Sequence, residues 1–193
     1  MPVTRSTSVP AVLISNAGSP DPVIRRIEAK VDGNASGALA ISYTLVADIH
    51  RLLIPVAAAP KPVDGLWRHT CFETFIGMKG SPVYYEFNFS PSSEWAAYRF
   101  RAYRDGALID DDLLAPNISV EQTANRLTLA ATIRLDRWSL IQPETTLRIG
   151  LAAVVEATDG SLSYWALKHP AHKPDFHHAD SFTLELALAA ESA

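Results

Sequence analysis

The stretch that decides the fold is residues 39–45, which read Leu-Ala-Ile-Ser-Tyr-Thr-Leu. Leu39, Ile41, Tyr43 and Leu45 alternate with small or hydroxylated residues, so large apolar side chains recur at every second position. Successive side chains of an extended strand point to opposite faces, whereas a helix repeats about every 3.6 residues. The stretch is therefore predicted to be a β-strand with one face in an apolar core.

The same period of two recurs in three later segments of the chain. Their apolar positions are Leu127, Leu129, Ala131 and Ile133; Leu147, Ile149, Leu151, Ala153 and Val155; and Phe182, Leu184, Leu186 and Leu188. Turn-forming residues separate these runs, and Asp159-Gly160 is predicted to be a hairpin turn. Many short strands joined by turns predict an all-β fold, an antiparallel β-sandwich of jelly-roll type. We expect one domain over residues 1–193, with loose ends at about 1–7 and 190–193.

The composition narrows the range of partners and locations. The 193 residues carry a formal net charge of −4. Because nucleic-acid binding needs a basic patch that replaces phosphate counterions, no nucleic-acid partner is predicted. No apolar run reaches transmembrane length, so no membrane partner is predicted either. The single cysteine, Cys71, forms no internal disulfide, and no secretory signal is recognisable, so the expected location is the cytoplasm. The sequence leaves the oligomeric state open.

Residues 84–101 are predicted to form a hairpin with an unusual second face. One register sets Phe87 opposite Tyr98 and Tyr85 opposite Phe100, and it places all four side chains in the core. The other face then mixes rings, charges and an amide: Tyr84, Glu86, Asn88, Trp95, Arg99, Arg101 and Tyr103. Such a mixture is unusual for a plain solvated face, and it indicates a binding surface.

Residues 66–76 come directly before this hairpin and place Trp67 where a loop meets a strand. The Trp67 ring either plugs the end of the sandwich or offers a flat apolar face to a ligand. In the second interpretation Arg68 and Glu73 supply hydrogen bonds, because sugars are bound by stacking plus a few polar contacts. Cys71 is expected to be a buried thiol, and a Cys71–His69 pair is the alternative.

Paired carboxyl groups offer a catalytic alternative. Glycosidases use two carboxyl groups on either side of the bond that they cleave. Glu73 with Glu86, or Glu73 with Asp175, would supply such a pair. The sequence does not fix the distance between the members of either pair.

Four of the six histidines lie in residues 164–178, together with two prolines and Asp175. Histidine and carboxylate groups suit zinc, but the spacing matches no named metal motif. The prolines predict an extended loop, so the histidines need not converge. The loop either packs over the edge of the sandwich or forms the rim of a ligand site. In that second case its hydrogen-bonding residues are His169, Lys173, Asp175 and His177.

On these residues, the chain resembles a DOMON-like domain related to carbohydrate-binding module family nine. The resemblance runs from about Leu66 to the C-terminus and rests on residues 67–76, 85–91, 127–133 and the segments around Trp95, Trp165 and Phe182. It implies an antiparallel β-sandwich that binds sugars or haem, with sugars held in a slot between two Trp rings. By position, it implies these contacts: Trp67, Arg68, Glu73, Glu86, Asn88 and Trp165.

The first hypothesis is a non-catalytic ligand-binding module whose ligand is a carbohydrate or sugar derivative, with no cofactor and no metal. The alternatives are a metal-assisted hydrolase that uses the loop from His169 to His178, and a protein-interaction domain. No catalytic residue is assigned. The predicted ligand-binding residues are Trp67, Arg68, Glu73, Glu86, Asn88, Trp95, Arg99, Trp165, His169, Lys173, Asp175 and His177.

Overall fold

The computed structural model describes residues 7–19, 21–33, 37–135, 146–170 and 173–187. Of the ends expected to be loose, residues 1–6 and 190–193 lie outside these ranges, and Thr7 begins the first strand. The strands are β1 Thr7–Ser15, β2 Ile24–Gly33, β3 Ala38–Ala47, β4 Cys71–Met78, β5 Tyr84–Phe89, β6 Trp95–Ala102, β7 Asp105–Leu108, β8 Asn117–Thr123, β9 Arg126–Arg134, β10 Thr146–Glu156, β11 Leu162–Ala166 and β12 Leu184–Ala187.

The strands form two layers of antiparallel sheet. The first sheet has the order β1-β2-β3-β9-β8, and the second has the order β7-β6-β5-β4-β10-β11, with β12 also paired to β10. Strand β1 pairs with β2 and, at its end, with β11, so it joins the two layers. Within the described ranges, no helix is long and apolar enough to cross a membrane.

The main core lies between the two sheets, where the predicted alternation places it. Leu39, Ile41, Tyr43 and Leu45 are fully buried there, and so are the apolar positions of β9 and the odd-numbered apolar positions of β10. Full burial of one large aliphatic side chain contributes about 1.5–3 kcal/mol. The predicted all-β antiparallel sandwich is confirmed. The predicted turn at Asp159-Gly160 joins β10 to β11, with Gly160 at a positive φ of 82°.

The last predicted apolar face is only partly formed. Leu186 of β12 packs into the main core. Phe182 comes before the strand and packs instead on the outer face of the second sheet. Residue 188, assigned to the same face, lies outside the described residues.

The predicted register of the β5–β6 hairpin is wrong by one residue. The structure pairs Phe87 with Ala97 and Tyr85 with Arg99, and the loop closes with Phe89 opposite Trp95. The physical reason is the Trp95 indole, because this register buries it between the sheets together with Phe89. A slip of one residue turns the strand over. The second face of the hairpin therefore presents Tyr98, not Trp95 or Arg99.

One hydrogen-bonded side chain ties the two sheets together inside the core. The Tyr43 hydroxyl of β3 donates to the Glu73 carbonyl oxygen of β4 at 2.7 Å. Since the phenol has a single proton, the Thr74 hydroxyl, 2.8 Å away, donates to the Tyr43 oxygen. Burial raises the pKa of Tyr43, so the phenol stays protonated. The contact fixes β4 above β3 and hence positions the outer face of the second sheet.

Tyr43→Phe tests this contact. The change removes the hydroxyl, so the buried Glu73 carbonyl oxygen and the buried Thr74 hydroxyl each lose a hydrogen-bond partner. This loss should lower the free energy of unfolding by about 1–3 kcal/mol. Urea denaturation measures the loss. Tyr164→Phe, which removes a hydroxyl that forms no hydrogen bond among the described residues, serves as the control and should change stability by less than about 0.5 kcal/mol. Equal stability of the Tyr43→Phe variant and the parent would contradict the role given to Tyr43.

Candidate ligand-binding site

The candidate site is a cavity of about 490 Å³ on the outer face of the second sheet, away from the main core. Because side chains alternate along a strand, residues next to the core-facing positions point into this cavity. Six neighbouring strands of this sheet, β7, β6, β5, β4, β10 and β11, contribute to its lining. The strand residues that argue for a site are Glu73, Glu86, Tyr98, Phe100, Val154 and Tyr164.

One wall of the cavity is the short 3₁₀ helix Leu66–Arg68, which comes before β4. It presents the Trp67 ring, 47% exposed, and the Arg68 guanidinium lies over that ring at 5.1 Å from its centroid. The helix follows Gly65, whose φ of 79° is in the left-handed region that glycine adopts readily. Trp67 therefore has a free face at the cavity.

Tyr98 anchors this wall to the sheet. Its hydroxyl donates to Asp64 Oδ1 at 2.6 Å and accepts from the Gly65 backbone N–H at 3.3 Å. Burial raises the pKa of Tyr98, so it stays a donor at neutral pH. The two hydrogen bonds hold the loop that carries Trp67 at a fixed distance from β6.

The opposite wall is the segment that follows β11. Phe176 is buried against Phe75 and Tyr164, with ring centroids 6.5 Å and 6.3 Å apart. His177 lies edge-on to Phe75 at 5.3 Å and to Phe100 at 5.0 Å. The predicted loop over the sandwich thus packs onto the outer face of the sheet, not only over its edge.

A chain of hydrogen bonds fixes the protonation of His177. The Tyr84 hydroxyl accepts from the Arg104 backbone N–H at 3.1 Å, and it lies 2.9 Å from His177 Nδ1. Burial raises the pKa of Tyr84 to about 12, so this hydroxyl keeps its proton and donates it to Nδ1. Burial, aided by the nearby Arg104 charge, lowers the pKa of His177 to about 4. His177 is therefore neutral at neutral pH, with its N–H on Nε2.

The floor of the cavity holds two glutamates. The pairing of β4 with β5 sets Glu73 opposite Asn88 and Glu86 opposite Phe75, so the two carboxyl groups are diagonal neighbours on one face. Glu73 is only 3% exposed and Glu86 only 5%. Asn88 is fully buried and donates through Nδ2 to Glu86 Oε1 at 2.9 Å.

Burial keeps both carboxyl groups protonated at pH values above the ordinary pKa of a glutamate side chain. It raises the pKa of Glu86 to about 7, against a lowering by the Asn88 hydrogen bond and the Arg104 charge. Burial and the neighbouring Glu86 charge raise the pKa of Glu73 well above its ordinary range. Glu86 Oε2 lies 3.7 Å from His177 Nε2. This contact is no ion pair, because His177 gains its proton only near pH 4, where Glu86 is neutral.

Four predicted site residues line this cavity: Trp67, Glu73, Glu86 and His177. Three more support them without lining it. Arg68 stacks on Trp67, and Asn88 binds Glu86. Asp175 accepts hydrogen bonds from the Tyr103 hydroxyl at 2.6 Å and from Arg104 Nη2 at 3.0 Å.

The other five predicted residues lie elsewhere. Trp95 and Trp165 are buried in the main core, on the opposite face of the sheet. Arg99 is exposed on that same opposite face of β6, and Lys173 is exposed and outside the lining. His169 binds the Ile14 carbonyl oxygen through Nε2 at 2.9 Å. Among the described tryptophans, only Trp67 lies at the cavity, so the slot between two Trp rings that the resemblance implies is not formed by them.

Sequence reasoning missed several lining residues. Tyr98 and Phe100 were assigned to the core through the wrong hairpin register. Tyr164 and Phe176 were not singled out, although the alternation of β11 offers a signal: Ser163 and Trp165 face the core, so Tyr164 must face outward. Arg104 carries no signal in the sequence, since it depends on a turn at a positive φ of 56°.

The metal and thiol alternatives gain no support from the described part of the chain. Within it, no group of three or more His, Cys, Asp or Glu side chains could hold a metal ion. Cys71 is buried, burial raises the pKa of its thiol, and His69 pairs instead with Glu156 at 2.8 Å. The Cys71–His69 pair does not form.

Comparison with known proteins supports the fold. No protein-family profile matches the chain, and no curated protein sequence matches it. A solved structure of a proposed carbohydrate-binding protein from Bacteroides uniformis ATCC 8492 is similar, with a TM-score of 0.66 and 12% identity over 93% of this chain and 85% of that one. At that identity the match shows a shared fold, in agreement with the sandwich expected from the sequence.

Two structures of a family-nine carbohydrate-binding module from Caldicellulosiruptor kristjanssonii are also similar. The complex with glucose has a TM-score of 0.49 at 12% identity and covers 93% of this chain and 86% of that one. The complex with cellotriose has a TM-score of 0.49 at 13% identity and covers 93% and 84%. The broader DOMON-like assignment stays a prediction.

Glu86→Gln tests the burial of the cavity floor. Because burial raises the pKa of Glu86 from 4.5 to about 7, the folded protein holds this proton more tightly than the unfolded chain does. The stabilisation is complete below about pH 4.5 and is lost as pH rises through about 7. The glutamine of the variant does not ionise. As pH rises from about 4.5 to 7, the free energy of unfolding of the variant should therefore increase by up to about 3 kcal/mol relative to that of the parent. Urea denaturation at a series of pH values measures this difference.

The comparison with the parent cancels the opposite pH dependence of His177, which is present in both proteins. Glu185→Gln, at an exposed position of β12, is the matched control and should not show this pH-dependent gain in stability over the parent. A difference between Glu86→Gln and the parent that does not change with pH would contradict the burial of Glu86.

Proposed function

We propose that this protein is a non-catalytic module that binds a carbohydrate or sugar derivative in the cavity on the second sheet. The observation that carries the proposal is the combination of the free Trp67 face with two buried carboxyl groups below it. An aromatic face accepts the apolar face of a sugar ring, and the polar floor accepts or donates hydrogen bonds to hydroxyl groups.

The size of the cavity supports a small ligand. Its volume of about 490 Å³ lies within the range of small-molecule sites, about 300–1,000 Å³. The walls are fixed before a ligand arrives, because Tyr98 anchors one wall and the Tyr84–His177 contact anchors the other. Preorganised walls lower the entropy cost of binding. The fold shared with a proposed carbohydrate-binding protein agrees with this ligand class.

The two alternatives have less support. The hydrolase built on the loop from His169 to His178 lacks three converging ligands among the described residues. The interaction domain needs a flat apolar patch, whereas the aromatic rings on this face line a concave cavity. The sugar-binding proposal uses both the shape and the chemistry of the site.

Trp67→Ala tests the proposal. Glucose and cellotriose, titrated by calorimetry, should bind the parent, and the variant should bind at least about tenfold more weakly, because stacking on a half-exposed ring is lost. Leu113→Ala removes an exposed apolar side chain outside the cavity and should bind like the parent. Circular dichroism checks that both variants are folded.

Two results would count against the proposal. Equal affinity of Trp67→Ala and the parent would place the sugar elsewhere. Release of glucose from cellotriose by the parent, lost in Glu86→Gln, would favour hydrolysis over binding.

A further inference from the structure

We propose that the cavity selects a sugar that carries a free amino group, and that the ammonium of this sugar binds at the floor between Glu73 and Glu86. The inference rests on the proposed sugar-binding function and specifies its ligand. It follows from an unpartnered carboxyl group, from the charges around the cavity, and from the rings above the floor.

Glu73 is the first observation. Its carboxyl group lines the cavity and is 3% exposed. Among the residues that the structure describes, no side chain or backbone group forms a hydrogen bond or ion pair with it. Buried polar groups in proteins are nearly always hydrogen-bonded, so a ligand that reaches the cavity floor would supply the partner that Glu73 lacks. Once ionised, the Glu73 carboxylate is only an acceptor, so a ligand that binds this form must bring donors.

The charged groups facing the floor are the second observation. The only described cation in the lining is Arg104, and its guanidinium binds Asp175 at 3.0 Å and the Tyr103 hydroxyl at 3.3 Å. Its charge is therefore balanced by Asp175. Three carboxyl groups remain without a cation, since Asp64 also lines the cavity.

The other titratable groups that line the cavity or contact its floor supply no compensating charge. His177 is neutral at neutral pH, because burial lowers its pKa to about 4. The Cys71 thiol and the phenols of Tyr84, Tyr98 and Tyr164 have no positively charged form. Two arginines lie nearby but do not line the cavity: Arg68 stacks over Trp67, and Arg148 donates to the Ala179 and Phe182 carbonyl oxygens. A cationic ligand would thus meet an excess of negative charge as soon as the glutamates ionise.

An ammonium group suits this floor better than a hydroxyl group does. It brings three donors, and hydrogen bonds between an ammonium and a carboxylate are roughly twice as strong as neutral ones. The rings of Trp67, Phe100 and Tyr164 line the walls, and aromatic faces attract cations. A neutral sugar, in contrast, leaves both carboxyl groups protonated.

Binding of the ammonium has a proton balance that a neutral sugar lacks. Below about pH 7 the Glu86 carboxyl holds its proton in the free protein. The ammonium keeps all its own protons, the carboxyl releases its proton to solvent, and the ion pair forms in place of the O–H bond. Affinity for the amino sugar should therefore fall as pH decreases through about 7, because protons compete with the ligand.

Titration calorimetry with glucosamine, glucose and N-acetylglucosamine tests the inference. N-acetylglucosamine masks the amine and keeps the ring. At about pH 6, in two buffers with different ionisation enthalpies, glucosamine should bind at least about tenfold more tightly than the other two sugars and release close to one proton. Glu73→Gln and Glu86→Gln should each reduce this preference, whereas Glu185→Gln should preserve it. Thermal unfolding confirms that each variant is folded.

The outcomes separate the inference from the proposed function. Binding of glucose or N-acetylglucosamine as tightly as glucosamine, without proton release, would overturn the inference and leave sugar binding intact. A preference for glucosamine that survives in both glutamine variants would also overturn it. Failure of all three sugars to bind would overturn the inference together with the sugar-binding proposal.

Discussion

The central strands of the second sheet are buried on both faces, and the rest of the structure depends on this constraint. Along β4 and β5 every position except Met78 is buried, and β10 is almost as enclosed. One face packs on the first sheet through the contact between Tyr43 and Thr74. The other face carries a second apolar cluster under Phe176 and Phe182, and Glu73 and Glu86 interrupt it. The site is thus a polar interruption in a covered apolar face.

Burial of the sheet on both faces also explains the raised pKa values of Glu73 and Glu86. Both carboxyl groups are almost fully buried, so the charged form of each is costly, and the second charge is costlier than the first. Groups whose pKa is strongly shifted by burial often mark functional sites, although structural networks can do the same. Here the glutamates add nothing to the packing that an apolar residue would not supply. In the proposed function they are the polar contacts of the ligand.

The sequence was sufficient for the fold, but it did not determine the hairpin register. Alternation fixed which side of β3, β9 and β10 faces the core, because their opposite sides are smaller or more polar. Strand β6 has aromatic residues on both sides, so Trp95 and Tyr98 compete for the core and the pattern favours neither. Four site residues could be predicted because an aromatic, acidic or imidazole side chain is recognisable as a possible ligand contact: Trp67, Glu73, Glu86 and His177. The partners that arrive through turns, such as Arg104, could not be predicted.

A ¹H–¹⁵N NMR titration with a bound sugar tests the central claim most directly. It follows the indole N–H resonances of Trp67, Trp95 and Trp165. The claim is that the ligand binds on the outer face of the second sheet. It predicts that the Trp67 resonance shifts with saturation, while the resonances of Trp95 and Trp165, buried on the opposite face, stay in place. Saturable shifts of Trp95 and Trp165 with a stationary Trp67 would contradict it.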